Sequence, residues 1–380
     1  MKKISEGKAI FFADVSDIVS RKLEVFYNPV MKFNRDVSIH LLNSRWLKNR
    51  RLAGKKRKLR VGLPLAGTGI RGIRLFLEVK KSVIDSIHFN DLDTTAVKTI
   101  QKNLKMNNIN RGRYTISNLD SNQFLLSESG FDYIDVDPFG SPNQFIDSCI
   151  KRLSRNGILA VTATDTGCLA GSYAKAGLRK YWSKSLKTEH MHELGLRILI
   201  RKIQLVGMQY DKALVPIFSY FRDHYFRIFF VNNKGRDNCD DLAKLFGYYL
   251  HCSKCSGFDT SKNIFNSARC KCGGNIEYAG PLWLGNLFDR NLTGEILAHD
   301  KENRFLEIIF EESKLEFPFF YDLHKLCKIY KVPELPKTEF THHLLRKKGY
   351  LVSQTHFTSK GIKTNAKVNL LVRILSAQKK

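Results

Sequence analysis

The sequence predicts an α/β fold with a parallel sheet, followed by a smaller α+β portion that carries a cysteine knuckle. Three observations carry that expectation. Short apolar runs alternate with helical stretches between residues 59 and 164, the signature of successive βαβ units. A glycine-rich turn, Gly67-Thr68-Gly69-Ile70-Arg71-Gly72, closes the first run. Beyond about residue 240 the pattern gives way to paired cysteines and then to a helical region rich in charge and aromatic residues.

Taken in order, residues 37–51 place Val37, Leu41, Leu42, Trp46 and Leu47 at three- and four-residue spacings, which predicts one amphipathic helix. It leads into a basic stretch. Between Ser44 and Arg60 stand nine Lys or Arg and no acid, either a solvated charged linker or a surface facing phosphates. The apolar runs 59–65, 83–90, 114–117, 133–136 and 158–164 read as strands, and 94–107 reads as a helix with Ala96, Val97, Ile100 and Leu104 on one face. The segments 213–221 and 225–231 flank Arg222-Asp223-His224 and read as a hairpin. At the far end, helix-like 338–348 precedes strand-like 350–357 and Gly361, which suits a winged-helix-like unit.

The 380 residues, 43% of them hydrophobic, suffice for two or three packed domains and exclude a disordered chain. With 63 Lys+Arg against 36 Asp+Glu the formal net charge is +27, more than solubility requires, and a polyanionic partner is the natural reading. An anionic membrane would also attract such charge. No apolar run reaches the length of a membrane span and the first residues lack a signal-peptide pattern, so the expectation is a cytoplasmic protein that binds nucleic acid.

Gly67 and Gly69 sit in a Gly-x-Gly-x-x-Gly pattern at a strand-to-helix turn, where backbone can approach a nucleotide closely. The next strand ends at Asp91, whose carboxylate can accept from both hydroxyls of a ribose. Nicotinamide dinucleotide and S-adenosylmethionine sites share this pair of features. The discriminating motif follows the fourth strand: Asp135-Val136-Asp137-Pro138-Phe139-Gly140. Amino-group methyltransferases carry an acid or amide, a proline and an aromatic there. An exocyclic amine conjugated to a base is a poor nucleophile; an Asp137 carboxylate and the Pro138 carbonyl that accept its hydrogens draw its lone pair toward a methyl group, and Phe139 can stack on the base.

Cys252-x-x-Cys255 and Cys270-x-Cys272 form two close thiol pairs, the pattern of a zinc ribbon, with Gly257, Gly273 and Gly274 to make the turns. All-thiolate ligation leaves no open position, so the expected Zn2+ is structural. Cys149, Cys168, Cys239 and Cys327 are scattered singly and read as reduced, buried thiols.

Taken together, the chain resembles the tRNA (guanine-26) N2-dimethyltransferase family in its compact archaeal-type form. The resemblance rests on Glu6-Gly7-Lys8-Ala9, Phe26-Tyr27-Asn28-Pro29 with Asn34-Arg35-Asp36, the Gly67 loop, Asp137-Pro138-Phe139-Gly140 and Thr162-Ala163-Thr164-Asp165-Thr166. It continues through Lys187-Thr188-Glu189-His190, Glu193-Leu194-Gly195-Leu196-Arg197, Gly280-Pro281-Leu282-Trp283-Leu284-Gly285, Thr355-His356-Phe357 and Gly361-Ile362-Lys363-Thr364. It implies a Rossmann-like class I methyltransferase sheet in an N-terminal catalytic domain, residues 1–235, and a C-terminal tRNA-binding domain, residues 236–380. It further implies that Arg35, Arg71, Asp91, Asp120 and Ser121 contact S-adenosylmethionine, the two arginines near the methionine carboxylate and Asp91 at the ribose. Asp137 then holds the guanine amine while Phe26 and Phe139 sandwich the base, and no protein partner is required. At Ser121 many relatives place alanine, a change that a backbone contact would survive. Two other readings stand beside this one: a related amine methyltransferase acting on rRNA or DNA, and a zinc-containing RNA-binding protein without catalysis.

Overall fold

The computed structural model of the chain describes residues 1–14, 27–52, 58–264, 269–332 and 337–376, residues 51 and 52 by their backbone alone. These form two compact units: Met1–Thr164 with Val206–Ile217 and Arg227–Cys239, and Asp165–Leu205 with Phe218–Phe226 and Asp240–Lys380.

The first unit begins with an antiparallel hairpin, β1 (Lys2–Glu6) and β2 (Ala9–Ala13), closed by a tight turn in which Gly7 takes φ +56°. Its centre is a seven-stranded sheet of β3 (Leu59–Leu63), β4 (Ile84–Asn90), β5 (Tyr114–Ser117), β6 (Phe131–Val136), β7 (Leu153–Ala163), β8 (Lys212–Arg222) and β9 (Tyr225–Lys234), of which Phe218–Phe226, at the tip of the β8–β9 hairpin, is part of the second unit. The strand order is β5-β4-β3-β6-β7-β9-β8, and β3 through β7 pair in parallel. The α/β expectation is met, and the β8–β9 hairpin forms one edge of the sheet.

Sequence explains why the helices lie where they do. Gly69, at φ +76°, caps the helix Ile70–Glu78, and Gly72 presses that helix onto β4: a Cβ there would stand 2.3 Å from the Phe89 ring. The helix Thr94–Met106 starts at Asp93, whose carboxylate accepts from Thr95 N, and it buries Ala96, Ile100 and Leu104 as the periodicity requires. The single helix expected over 37–51 is two, Lys32–Asn43 and Arg45–Leu52. Ser44 divides them: it takes an extended backbone (ψ 149°), and its hydroxyl donates to Leu41 O at 2.7 Å and accepts from Leu47 N at 3.2 Å. A capping serine overrides hydrophobic spacing that runs on without a break.

The second unit contains a sheet of β10 (Phe246–Cys252), β11 (Phe258–Ser261) and β12 (Ile276–Trp283) in the order β11-β10-β12. Another, of β13 (Tyr321–Asp322), β14 (Val352–Thr355) and β15 (Thr358–Thr364), has the order β13-β15-β14. Helices Leu323–Ile329, Thr338–Lys347 and Val368–Ser376 pack on the latter through Leu326, Leu345, Leu371 and Ile374 against Ile362. Among the described residues no helix is long and apolar enough to cross a membrane.

Candidate active site

The order of the large sheet fixes where a ligand can lie. Connections from β3 run to β4 on one side, and β6 pairs with β3 on the other, so the loops after β3 and β6 diverge and open a crevice at the carboxyl ends of the strands. The Gly67 turn and Asp137 stand at those two ends. Gly67, at φ +53°, donates its N–H to Asp91 Oδ2 at 2.8 Å, and Asp93 N reaches Asp91 Oδ1 at 3.1 Å. Burial raises the Asp91 carboxyl above its usual value, against the hydrogen bonds from the Asp93 and Gly67 amides. Asp120 caps the helix Ser121–Ser127 by accepting from Asn122 N and Gln123 N. The buried Ser121 hydroxyl donates to Pro64 O at 2.9 Å and ties this helix to the end of β3, so its one hydrogen is already used.

On the other side of the crevice, Asp137 Oδ2 accepts from Arg71 Nη2 at 2.6 Å. Arg71 leaves the glycine turn on the helix Ile70–Glu78 and is 9% exposed; its Nη1 donates to Asn34 Oδ1 at 2.9 Å and stands 3.3 Å from Asp135 Oδ2. Below lies a buried polar layer. Asp135 accepts from Arg227 at 2.9 and 2.7 Å and from the Tyr133 hydroxyl at 2.6 Å. Arg227 also donates to Thr162 Oγ1 and Ser38 Oγ, and Asn34 Nδ2 donates to Thr162 Oγ1. Burial pushes the Asp135 carboxyl up, but Arg227 and Arg71 outweigh it and hold the group below its ordinary range. Pro138 is buried, Phe139 is 46% exposed, and the loop is pinned where Gly140 N donates to Thr164 Oγ1 and Thr164 N donates to Gly140 O.

Arg35 is brought to the same end by the helix Lys32–Asn43. Its guanidinium donates in parallel to Glu6, Nε to Oε1 at 2.7 Å and Nη2 to Oε2 at 2.6 Å, and packs over the Tyr27 ring. Arg74 adds a third bond to Glu6 and the Tyr27 hydroxyl a fourth. Burial works to raise the Glu6 carboxyl; Arg35, with Tyr27 and Arg74, prevails and holds it at about 2. Burial and the Glu6 charge push the Tyr27 phenol up to about 12. Phe26, the other aromatic expected at the base, lies outside the described residues.

In the second unit the four knuckle cysteines converge. Their sulfurs all lie within 4.8 Å of one another, with Cys252 to Cys272 at 3.5 Å and Cys255 to Cys270 at 3.7 Å. Tetrahedral zinc with Zn–S bonds of about 2.3 Å requires S···S separations of about 3.8 Å, so the donor set fits that ion. The tight Cys270-x-Cys272 spacing is accommodated by a turn in which Gly273 N donates to Cys270 O and Cys270 N to Gly274 O. A Cβ at Gly274 would stand 2.7 Å from the Cys252 sulfur.

The family model described as N2,N2-dimethylguanosine tRNA methyltransferase matches residues 6–376. The chain belongs to that family. One relative in it, the tRNA (guanine(26)-N(2)/guanine(27)-N(2))-dimethyltransferase of Aquifex aeolicus, is 37% identical, covering 96% of this chain and 93% of its own. The tRNA (guanine(26)-N(2))-dimethyltransferase of Methanobrevibacter smithii is 34% identical over 99% and 98%. Among solved structures, the complex of Trm1 from Pyrococcus horikoshii with S-adenosyl-L-methionine superposes with a TM-score of 0.84 at 31% identity, covering 98% of this chain and 99% of that one. The Rossmann-like sheet of the N2,N2-dimethylguanosine family is thus the fold of this chain.

Glu6, Asn34, Asp135, Thr162 and Arg227 surround the expected site residues, and sequence reasoning gave them no role. A signal was present: Arg227 interrupts the apolar run of β9 and Asp135 that of β6, and a charge inside a central strand needs a buried partner.

Proposed function

We propose that the chain transfers methyl groups from S-adenosylmethionine to the exocyclic N2 amine of guanine 26 in tRNA. The observation that carries the proposal is the placement of Asp137 at the end of β6, held by Arg71 from the glycine turn across the crevice, in a chain of this family. Bound S-adenosylmethionine supplies an electrophilic methyl on a sulfonium; its binding would fall to the Gly67–Gly69 turn, Asp91, Asp120, the Ser121 backbone and the two arginines. Asp91 suits a ribose because its carboxylate is already fixed by backbone amides. Arg71 occupies Asp137 Oδ2, which leaves Oδ1 to accept a hydrogen of the guanine amine while the Pro138 carbonyl accepts the other. As the N–C bond forms and the methyl–sulfur bond breaks, the amine proton passes to Asp137. Phe139 and Phe26 sandwich the base, and a second transfer gives the dimethylated amine.

In this reading residues 1–235 carry catalysis, residues 236–380 hold the tRNA, and Zn2+ on Cys252, Cys255, Cys270 and Cys272 organises the knuckle; the protein works in the cytoplasm without a protein partner. The formal charge of +27 supports a phosphate-rich substrate. The test is methyl transfer from labelled S-adenosylmethionine to unmodified tRNA by the wild type and by Asp137→Ala, followed by nucleoside analysis. Label in N2-methylated guanosine that disappears with the variant is expected. Cofactor binding without transfer to tRNA would move the acceptor to another nucleic acid, and no cofactor binding would end the enzyme reading.

A further inference from the structure

Helix Met191–Met208 carries two adjacent cations, Arg201 and Lys202, that no acid neutralises among the described residues. The Arg201 Nε and Nη1 are buried and lack hydrogen-bond partners; its guanidinium stands 5.2 Å from the centre of the Phe246 ring. Lys202 places its ammonium over the face of Trp182, and burial lowers it to about 8. A third cation, the exposed Lys184, stacks its ammonium 3.9 Å from the centre of Tyr278. Tyr278 meets Tyr248 edge to face at 6.2 Å. Backbone bonds bring these groups together: Lys184 and Gly280 exchange N–H···O bonds of 2.9 and 2.8 Å, and β10 pairs with β12.

The aromatic end of this band is held rigidly outward. Trp182 is half exposed and adopts φ +55°, a left-handed conformation that a bulky side chain rarely takes. It follows the helix Ala174–Tyr181, which is fixed from below. Gly177 sits so close to Cys168 that a Cβ would stand 2.5 Å from its carbonyl oxygen, and the buried Tyr181 donates to the Asp165 carboxylate at 2.7 Å. The outer side of the helix exposes Leu178 beside Lys175, Arg179 and Lys180.

Cations without acids are costly to bury partway unless an anion completes them, and aromatic rings interleaved with cations are the composition that takes nucleic-acid backbone and bases together. We propose that Lys184, Arg201 and Lys202, with Trp182, Tyr248 and Tyr278, form a docking surface for the RNA substrate. The exposed Lys184 contacts a backbone phosphate, the half-buried Arg201 and the buried Lys202 lend their positive charge to the same patch beside Phe246 and Trp182, and Trp182 stacks its other face on an unpaired base. The assignment rests on the reading of the chain as a tRNA-modifying enzyme and extends its tRNA-holding part beyond residues 236–380 to residues 182–202, which belong to the second unit.

The experiment measures the affinity of the full-length protein for unmodified tRNA at several salt concentrations, beside its affinity for S-adenosylmethionine. Lys184→Gln, at an exposed position where folding is not at stake, is expected to weaken tRNA binding several-fold and to flatten the logarithmic salt dependence by roughly 0.7 to 0.9. Trp182→Ala is expected to weaken it about five- to a hundred-fold, with Trp182→Phe restoring most of the loss, because a phenyl face still stacks. S-adenosylmethionine affinity should not move in any of them. Lys314→Gln, at a lysine already paired with Glu311, should leave tRNA binding unchanged. Wild-type tRNA affinity and salt slope in both Lys184→Gln and Trp182→Ala would overturn the docking surface, as would an equal loss in Lys314→Gln. Failure of the wild type itself to bind tRNA would instead overturn the substrate reading on which the surface depends.

Discussion

Replacing Arg227 by methionine should cost about 3–5 kcal/mol of stability, the range for removing one partner of a buried ion pair. The structure sets the terms. The Arg227 and Asp135 side chains are both fully shielded from solvent, and their shorter contact is 2.7 Å. At an effective dielectric of 20 and a charge separation of about 4 Å their attraction is about 4 kcal/mol. Without Arg227, Asp135 keeps the Tyr133 hydroxyl and Arg71, which already stands 3.3 Å away. Arg71 would then move toward Asp135 and loosen its bond to Asp137, so methyl transfer per folded molecule should fall about tenfold, an order-of-magnitude expectation for a displaced catalytic group. Adding Asp135→Asn removes the stranded charge. Because Arg227 Nε has no partner even in the native chain, the double variant should recover more than half of the lost stability. Urea unfolding of wild type, both single variants and the double variant measures the coupling. A cost below about 1 kcal/mol for Arg227→Met, or a double variant as unstable as the sum of the singles, would refute the reasoning.

Asp137→Asn should lower kcat for tRNA methylation by about 10² or more while S-adenosylmethionine binding persists, readable by single-turnover transfer and equilibrium dialysis. The Glu6 carboxyl, held at about 2 against an ordinary 4.5, contributes stability that is complete above pH 4.5 and fades as pH falls toward 2; acid unfolding of Glu6→Gln should show a shallower pH dependence there. Gly72→Ala, which puts a Cβ 2.3 Å from the Phe89 ring, should destabilise by about 1–3 kcal/mol in thermal melts; an unchanged Tm would show that the helix can shift without cost. Elemental analysis should find one zinc per chain, and Cys255→Ser should release it and lower the melting temperature, with S-adenosylmethionine affinity of the remaining folded protein unchanged.

What the sequence made legible was whatever repeats with a fixed period or a fixed local spacing. The strands of the large sheet announce themselves by short apolar runs, the helix Thr94–Met106 by apolar residues on one face, the glycine turn by its Gly-x-Gly-x-x-Gly spacing, and the knuckle by cysteine pairs whose sulfurs do meet. The polar layer under Asp137 has no such period. Its members come from the helix Lys32–Asn43, the helix Ile70–Glu78, β6, β7 and β9, and residues 38 and 227 meet only once the sheet has closed. A charge inside a strand marks that a partner must exist, as at Asp135 and Arg227, but the identity of the partner is set by strand order, which local spacing does not encode. The same limit applies to Arg201 and Lys202: on the helix they read as an ordinary basic pair, and only the approach of Phe246 and Trp182 marks them as cations held ready without an acid. The catalytic carboxylate is legible because its chemistry is written in neighbouring residues; the groups that hold it in place are not, because they are neighbours only in space.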